Sequence, residues 1–534
     1  MRKSCSDRLP RTRWSFVILP ALGVALALFS TPWGIGLSPD SIVYLTAARH
    51  WLNGQGISQL SNAGQLLPLL HFPPLFSVLL AICATRLDLL ESARWMNALL
   101  LGMNILFIEG MIYRMTRECR PALLGALLAV TSLTFLAIHT MAWSEPLFIF
   151  LGSSTLLFVV MYLESSQPVF LIASALMASL TMLTRYTGGA FTLTSFACLV
   201  LFMKGSREKV VSAAAFGLVS SLPLGLWLIH NWVLTGAATD RVFAVHWIRL
   251  ADLQTAASTI SDWILPSPTP ILIRTIVLLL LAASLVIGLI RGQQRPRRRA
   301  MTSSDLWLFA LLIFIFVYGL GLVISISFFD ASTSLDDRML SPIFIAVLIL
   351  GVYIAWRWFR VVQGSRAKQT VLVGVIALFV LSGLIRTAFW VAIARSDGQG
   401  FASRVWRQSP LVQVAATIPE SDKVFTNGPD VIYFLTGRRA ALIPAKVDSM
   451  TRQPNVAYPA QVSAMRQELG KGAVLIDFRA INWRWYLPSE KELVHQLMVC
   501  PIFADSDGVV YQTVCGNGRH GAFLLIDYSN LQSP

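Results

Sequence analysis

Long apolar runs separated by short polar stretches fill the first 393 residues, and the pattern changes only after them. The first run, Trp14 to Trp33, follows a basic leader of Arg2, Lys3, Arg8, Arg11 and Arg13. At about 1.5 Å of rise per residue it is long enough to cross a bilayer, and no small-residue cleavage site clearly follows it. It therefore reads as an uncleaved anchor with the N-terminus in the cytoplasm. Further runs fall near 94–113, 121–139, 145–163, 168–184, 188–203, 210–232, 271–291, 305–327, 339–356 and 370–393, so that about 11 transmembrane helices are predicted. The segment 73–90 is apolar but short and contains Arg86 and Asp88, and the parity of the topology turns on it. If it lies along the interface, the basic clusters Arg114/Arg117/Arg120, Lys204/Arg207/Lys209, Arg291 to Arg299 and Arg357 to Lys368 all fall inside. If it spans, every one of them flips outward against the positive-inside rule, so the interfacial reading is adopted.

On this topology the outer face collects the loop 34–93, the turn around Trp143 to Glu145, the turn at Arg185 and Tyr186, the loop 233–270, and the stretch 327–338. The tail from about 394 to 534 lies on the same side. Its periodicity is different: LVQVAATI reads as a helix ending before Pro419, while KVFTN, AALIP, AVLIDF and GVVYQTV read as short strands. The predicted architecture is thus a mainly α, polytopic membrane domain over 1–393 with interfacial helices, and a small α/β extracytoplasmic domain over 394–534.

Composition supports the membrane assignment, with 55% hydrophobic and only 13% charged residues. The excess of 43 Lys and Arg over 28 Asp and Glu would ordinarily raise nucleic acid as a partner. The tail from 394, however, holds 14 basic and 12 acidic residues, leaving 29 and 16 for the membrane part. The excess belongs to membrane loops, and nucleic-acid binding is set aside. Cys500 and Cys515 lie in the polar tail and can form a disulfide if the tail is outside the cytoplasm; the alternative is two unrelated thiols. No Walker loop, HExxH, paired CxxC or GxSxG elbow is present, which argues against an ATP-driven pump. Two charges sit within predicted spans: Glu109, near enough to the inner end to snorkel, and Arg386, a candidate wall of a carrier-lipid groove.

Ser38 can cap a helix that begins at Pro39 and closes at Asn53–Gly54, which places Asp40 at a helix N-terminus. A carboxylate there is favourable through the helix dipole alone; held at the outer membrane surface under a roof of loops, it is also a good general base. Asp40 with Tyr44 and Ala48, then HFPPLF at 71–76, WSEPLF at 143–148 and LTRYTGG at 183–189 follow in order on these elements. Together they resemble the GT-C superfamily of membrane glycosyltransferases, in particular the branch of protein O-mannosyltransferases and lipid A aminoarabinose transferase, over roughly the first 200 residues.

The resemblance implies that Asp40 is the catalytic base, although Ser41 stands where many members carry a second acidic residue. His71, Pro73 and Pro74 correspond to the family's HPP or KPP signature with Phe72 inserted, and His71 would steer phosphate or acceptor. Glu145 falls where relatives carry an acidic residue that serves as metal ligand, acceptor contact or support. Arg185 and Arg338 are the cations for the donor phosphate, since guanidinium matches phosphate oxygens with a planar fork. Tyr44, Tyr186 and Asp337 complete the expected pocket, and an ion pair of Arg338 with its neighbours Asp336 and Asp337 is the plainer alternative. The expected reaction moves a sugar from a polyprenyl-phosphate carrier to a lipid, glycan or protein acceptor at the outer face of a plasma membrane. No cofactor is obligatory; a divalent cation, Mg2+ or Mn2+, between Asp40 and Glu145 is the variant. A transporter or flippase of lipid-linked sugars, or a glycan ligase or polymerase with a diphosphate-linked donor, are the rival readings.

Overall fold

The computed structural model describes residues 11–265, 269–270, 272–277, 279, 302–362 and 364–513. Helix α1 (Arg11–Ser30) leads into α2 (Pro39–Leu52), whose start is fixed by a reciprocal cap. The Ser38 hydroxyl accepts from the Ser41 amide, and the Ser41 hydroxyl accepts from that of Ser38. A hairpin of β1 (Ser58–Leu60) and β2 (Leu66–Pro68) follows, then α3 (Leu75–Ala84). Ten residues of helix rise only about 15 Å, so α3 by itself is half as long as the hydrocarbon layer is thick. Asp88 caps α4 (Leu89–Thr116) by accepting from the Leu90 amide.

Next come α5 (Cys119–Val130) and α6 (Leu133–His139), bent by 61° where Thr131 and Ser132 interrupt the helix, then α7 (Glu145–Ser165) and α8 (Pro168–Thr184). A single 3-10 turn at Tyr186–Gly188 opens α9 (Gly189–Phe202), followed by α10 (Ser206–Thr235) and the amphipathic α11 (Leu250–Asp262). The long helices α12 (Ser303–Phe328), α13 (Asp337–Val361) and α14 (Arg366–Asp397) complete the bundle.

Among the described residues, α4, α7, α10, α12, α13 and α14 are long and apolar enough to cross a membrane, with α5–α6 a seventh if the bent pair is one span. The eleven expected runs are therefore not all reproduced at full length. The helices at Phe16–Ser30, Pro168–Thr184 and Tyr186–Phe202 are apolar but shorter, and most of the run 271–291 lies outside the described residues. Two-thirds of the apolar stretch of α7 and of α13 is buried inside the protein, against 6% for α14. A helix this apolar and this bare would not persist in water; its solvent is lipid, and the chain is a multi-pass membrane protein. Glu109, on the inward face of α4, is fully buried rather than snorkelling, because the helix turns it toward neighbouring helices.

The tail builds α15 (Pro410–Thr417), β3 (Val424–Thr426), α16 (Pro429–Thr436), β4 (Ala441–Leu442), α17 (Tyr458–Gly470), β5 (Val474–Phe478), α18 (Glu490–Leu497), β6 (Cys500–Asp505) and β7 (Gly508–Gln512). Its sheet runs β4-β3-β5-β7-β6, parallel through the first three strands and antiparallel beyond. The four strands predicted from the sequence are present; β6, whose Cys-Pro start weakens the pattern, was not anticipated. Cys515 lies outside the described residues, and with it the expected Cys500–Cys515 bridge.

The tail does not hang free of the bundle. Leu411, Val412, Val431 and Ile432 share one apolar cluster with Ile42, Leu45 and Phe76 of the first long loop. Gly400, at φ +54°, lets the chain bridge Leu37, where any Cβ would collide with the Leu37 carbonyl. The tail and the long first loop therefore occupy one end of the bundle. The basic loops at 114–120, 204–209 and 357–368 lie at the far ends of α4, α10, α13 and α14.

Candidate functional site

Four chain segments deliver charge to the end of the bundle beneath the tail. The capped start of α2 presents Asp40; the first turn of α7 begins with Glu145; the break between α8 and α9 releases Arg185; and the first turn of α13 carries Arg338. The residues lie up to 298 positions apart in sequence, yet they form one ionic cluster. Arg338 Nη1 lies 2.6 Å from Asp40 Oδ2, and its Nε lies 2.5 Å from Glu145 Oε1. Arg185 Nη1 reaches the same Glu145 oxygen at 2.5 Å. Glu145 is only 2% exposed, so its charge is sustained by two guanidiniums rather than by water.

Neighbouring groups hold this arrangement rigid. The Arg338 guanidinium sits 4.7 Å from the centroid of the Trp143 ring, and the Trp143 indole donates to Ser38 Oγ at 2.8 Å, tying the arginine to the cap of the Asp40 helix. Ser144 Oγ accepts from Arg185 at 3.3 Å and meets the Tyr44 hydroxyl at 3.0 Å. Arg338 Nη2 has no hydrogen-bond partner. Asp336 caps α13 by accepting from the amides of Arg338 and Met339, so it fixes the backbone of Arg338 rather than pairing with its side chain.

The cluster opens into a cavity of about 1120 Å³. Of the expected pocket residues, Asp40, His71, Arg185, Tyr186 and Arg338 line it, while Tyr44 and Glu145 support it from behind. Asp337 does not line it: the next position round the helix turns away, and its carboxylate accepts from Thr134 and Trp263. Arg386 is likewise elsewhere, donating to the Asp262 carbonyl and joining α14 to the end of α11.

The Asp40 side chain is 31% accessible, from the cavity side. Its partial burial opposes ionisation, but Arg338, His71 and Arg185 outweigh that cost and hold the carboxyl below its ordinary range. A divalent ion fits poorly between Asp40 and Glu145, since Arg338 already bridges them and Glu145 carries two guanidiniums. Among the described residues no group of three or more His, Cys, Asp or Glu side chains converges elsewhere to hold one.

Two further walls of the cavity come from the outer loop 233–270, a candidate cover for the site from its sequence, and from the tail, whose part in the site the sequence did not show. Loop 236–249 brings Asp240 to 2.7 Å from His71 Nδ1, and Arg241 to 2.6 Å from Asp330. The tail contributes Trp483, Arg484, Trp485 and Tyr486. A cluster of aromatic residues around an arginine in an otherwise polar tail was the available signal for the second; nothing in the local sequence pairs Asp240 with His71.

No family model and no curated protein matches the chain by sequence. Solved structures do. Over 94% of this chain and 99% of the other, the fold matches that of ArnT from Cupriavidus metallidurans bound to undecaprenyl phosphate, with a TM-score of 0.60 and 13% identity. The chain shares its fold with that structure, itself a GT-C glycosyltransferase. The apo state of the same ArnT matches at a TM-score of 0.50 and 14% identity over 95% of this chain and 99% of that one. Another GT-C structure, the archaeal oligosaccharyltransferase AglB from Archaeoglobus fulgidus in complex with an inhibitory peptide and a dolichol-phosphate, matches at 0.52 and 12% identity, over 87% of this chain and 69% of that one. At such identities the likeness carries the fold and no residue's role, so the chemistry of Asp40, Glu145, Arg185 and Arg338 rests on their own geometry.

Proposed function

We propose that this chain is a membrane glycosyltransferase that takes a sugar from a polyprenyl-phosphate carrier and passes it to a lipid, glycan or protein acceptor at the extracytoplasmic face of a plasma membrane. The observation that carries this reading is the Arg338 guanidinium shared between Asp40 and Glu145 on the wall of a large cavity, with Arg185 beside it. Solved proteins of the same fold hold undecaprenyl phosphate and a dolichol-phosphate, which is the ligand chemistry such a pair of arginines suits.

In this reading the donor phosphate meets Arg338 and Arg185 from the cavity that both of them line. Each contact that Arg338 makes with phosphate weakens its hold on Asp40, so the carboxylate becomes available as the donor is seated. The acceptor oxygen or nitrogen attacks the anomeric carbon; the bond from that carbon to the phosphate oxygen breaks, and its electron pair leaves on the polyprenyl phosphate. Asp40 takes the proton of the acceptor, and the anomeric configuration inverts. Guanidinium, rather than a divalent ion, neutralises the leaving phosphate. With the basic loops inside and the N-terminus cytoplasmic, the tail and the cavity face outward.

Asp40→Asn keeps the size of the side chain and removes the base. In membranes supplied with lipid-linked sugar it is expected to lower turnover by about 10²–10⁴-fold while carrier binding persists. Turnover at the level of the unaltered chain would remove Asp40 from that role.

A further inference from the structure

The cavity wall opposite the membrane helices is made by an irregular segment between β5 and α18, and that segment shows its indole rings to the opening. Trp483 is 51% exposed and Trp485 47%. Their backbone is not loose. The Tyr486 carbonyl accepts from the amides of Lys446 and Val447, the Leu487 amide donates to the Arg484 carbonyl, and buried Arg484 is ion-paired with Asp430 beneath the rings. The Arg484 guanidinium also lies 4.9 Å from the Trp483 centroid. Two large indoles are thus held half bare on the cavity wall by a fixed frame.

We infer that Trp483 and Trp485 form a platform for a saccharide ring of the acceptor, so that the acceptor is itself a glycan or glycolipid. The inference rests on the proposed transferase reading and narrows it. A sugar ring offers an apolar C–H face to an indole and a rim of hydroxyls to the polar groups around it, and Ser449, Arg484 and Tyr486 supply such groups on the same wall. The cavity, at about 1120 Å³, exceeds the range of about 300–1,000 Å³ usual for a small-molecule pocket and has room for a second sugar beside the one on the carrier. Both indoles line the cavity that also contains Asp40, which favours an acceptor over the lipid surface as their occupant.

The test uses the full-length chain in detergent, applied to an immobilised array of defined oligosaccharides, with undecaprenyl phosphate binding measured in parallel. The unaltered chain is expected to hold a subset of the glycans. Trp483→Ala and Trp485→Ala should each weaken that binding about tenfold, Trp485→Phe should retain most of it, and carrier binding should stay unchanged in all of them. Retention of the glycans by the double alanine variant would overturn the platform, as would failure of the unaltered chain to hold any glycan. Quenching of tryptophan fluorescence by brominated lipid in proteoliposomes that the double alanine variant reduces, with glycan binding unchanged, would assign the rings to the membrane surface instead. Failure of carrier binding in the unaltered chain would count against the transferase reading, not against the platform.

Discussion

Asp40 at the mouth of the helix bundle and Asp477 on β5 of the tail sheet are both partly buried carboxylates, and burial pushes each toward the neutral acid. They end on opposite sides of the ordinary value. Around Asp40, Arg338, His71 and Arg185 reverse the effect of burial and hold the group ionised. Around Asp477, Glu490 adds to it, Arg479 only partly opposes it, and the carboxyl is pushed up to about 6. Burial by itself therefore does not decide what a carboxylate can do; the placement of arginine does. The cavity gathers cations from helix ends far apart in sequence, whereas the sheet keeps a partly buried acid beside Glu490.

The largest effect is expected where that concentration of charge would be left uncompensated. Glu145→Gln leaves two buried guanidiniums facing a neutral amide, and breaking a buried pair of this kind costs about 3–5 kcal/mol. A fall in the thermal midpoint of the purified protein together with loss of turnover is the expected outcome, and an unchanged midpoint would show that Glu145 is not the keystone of the cluster. Arg338→Lys is the next test. Lysine keeps the charge but cannot reach Asp40 and Glu145 with separate nitrogens, so apparent donor affinity should fall by about 10- to 100-fold with a smaller change in stability. Equal losses for donor and acceptor would detach Arg338 from the phosphate.

The smallest effect belongs to the sheet, and it tests the contrast from the other side. A carboxyl whose native value is raised contributes stability that is full below 3.8 and lost as the pH climbs through about 6. Asp477→Asn should therefore stabilise the protein at pH 7, by about 1–3 kcal/mol, with the gain vanishing near pH 4. For Asp40 the sign is opposite. Its lowered native value means that the pairing with Arg338 stabilises the fold above 3.8 and is lost only as the pH falls further, so Asp40→Asn should flatten the acid limb of a stability profile. A profile in which both variants moved the same limb would erase the distinction.

Much of the site could be read along the chain because its parts occur at element boundaries with local signatures. Ser38–Pro39 marked the helix that presents Asp40, Glu145–Pro146 marked the start of α7, and Arg185 stood at a break between apolar runs. Asp337 was misjudged for a reason internal to a helix: one residue of rotation, about 100°, separates it from Arg338 and turns it to Trp263 and Thr134. The pairing of His71 with Asp240 spans 169 residues and has no local pattern to announce it.

Hydropathy determined from sequence alone that the chain is a multi-pass membrane protein, because lipid demands long apolar helices and does so residue by residue. Only the tertiary structure decided that Arg338 lies between Asp40 and Glu145, that Glu109 faces protein, and that the tail's indoles border the same cavity. Those outcomes depend on how helices rotate and pack against one another. Side-chain direction around a helix is fixed by contacts with distant segments, which no stretch of neighbouring residues encodes.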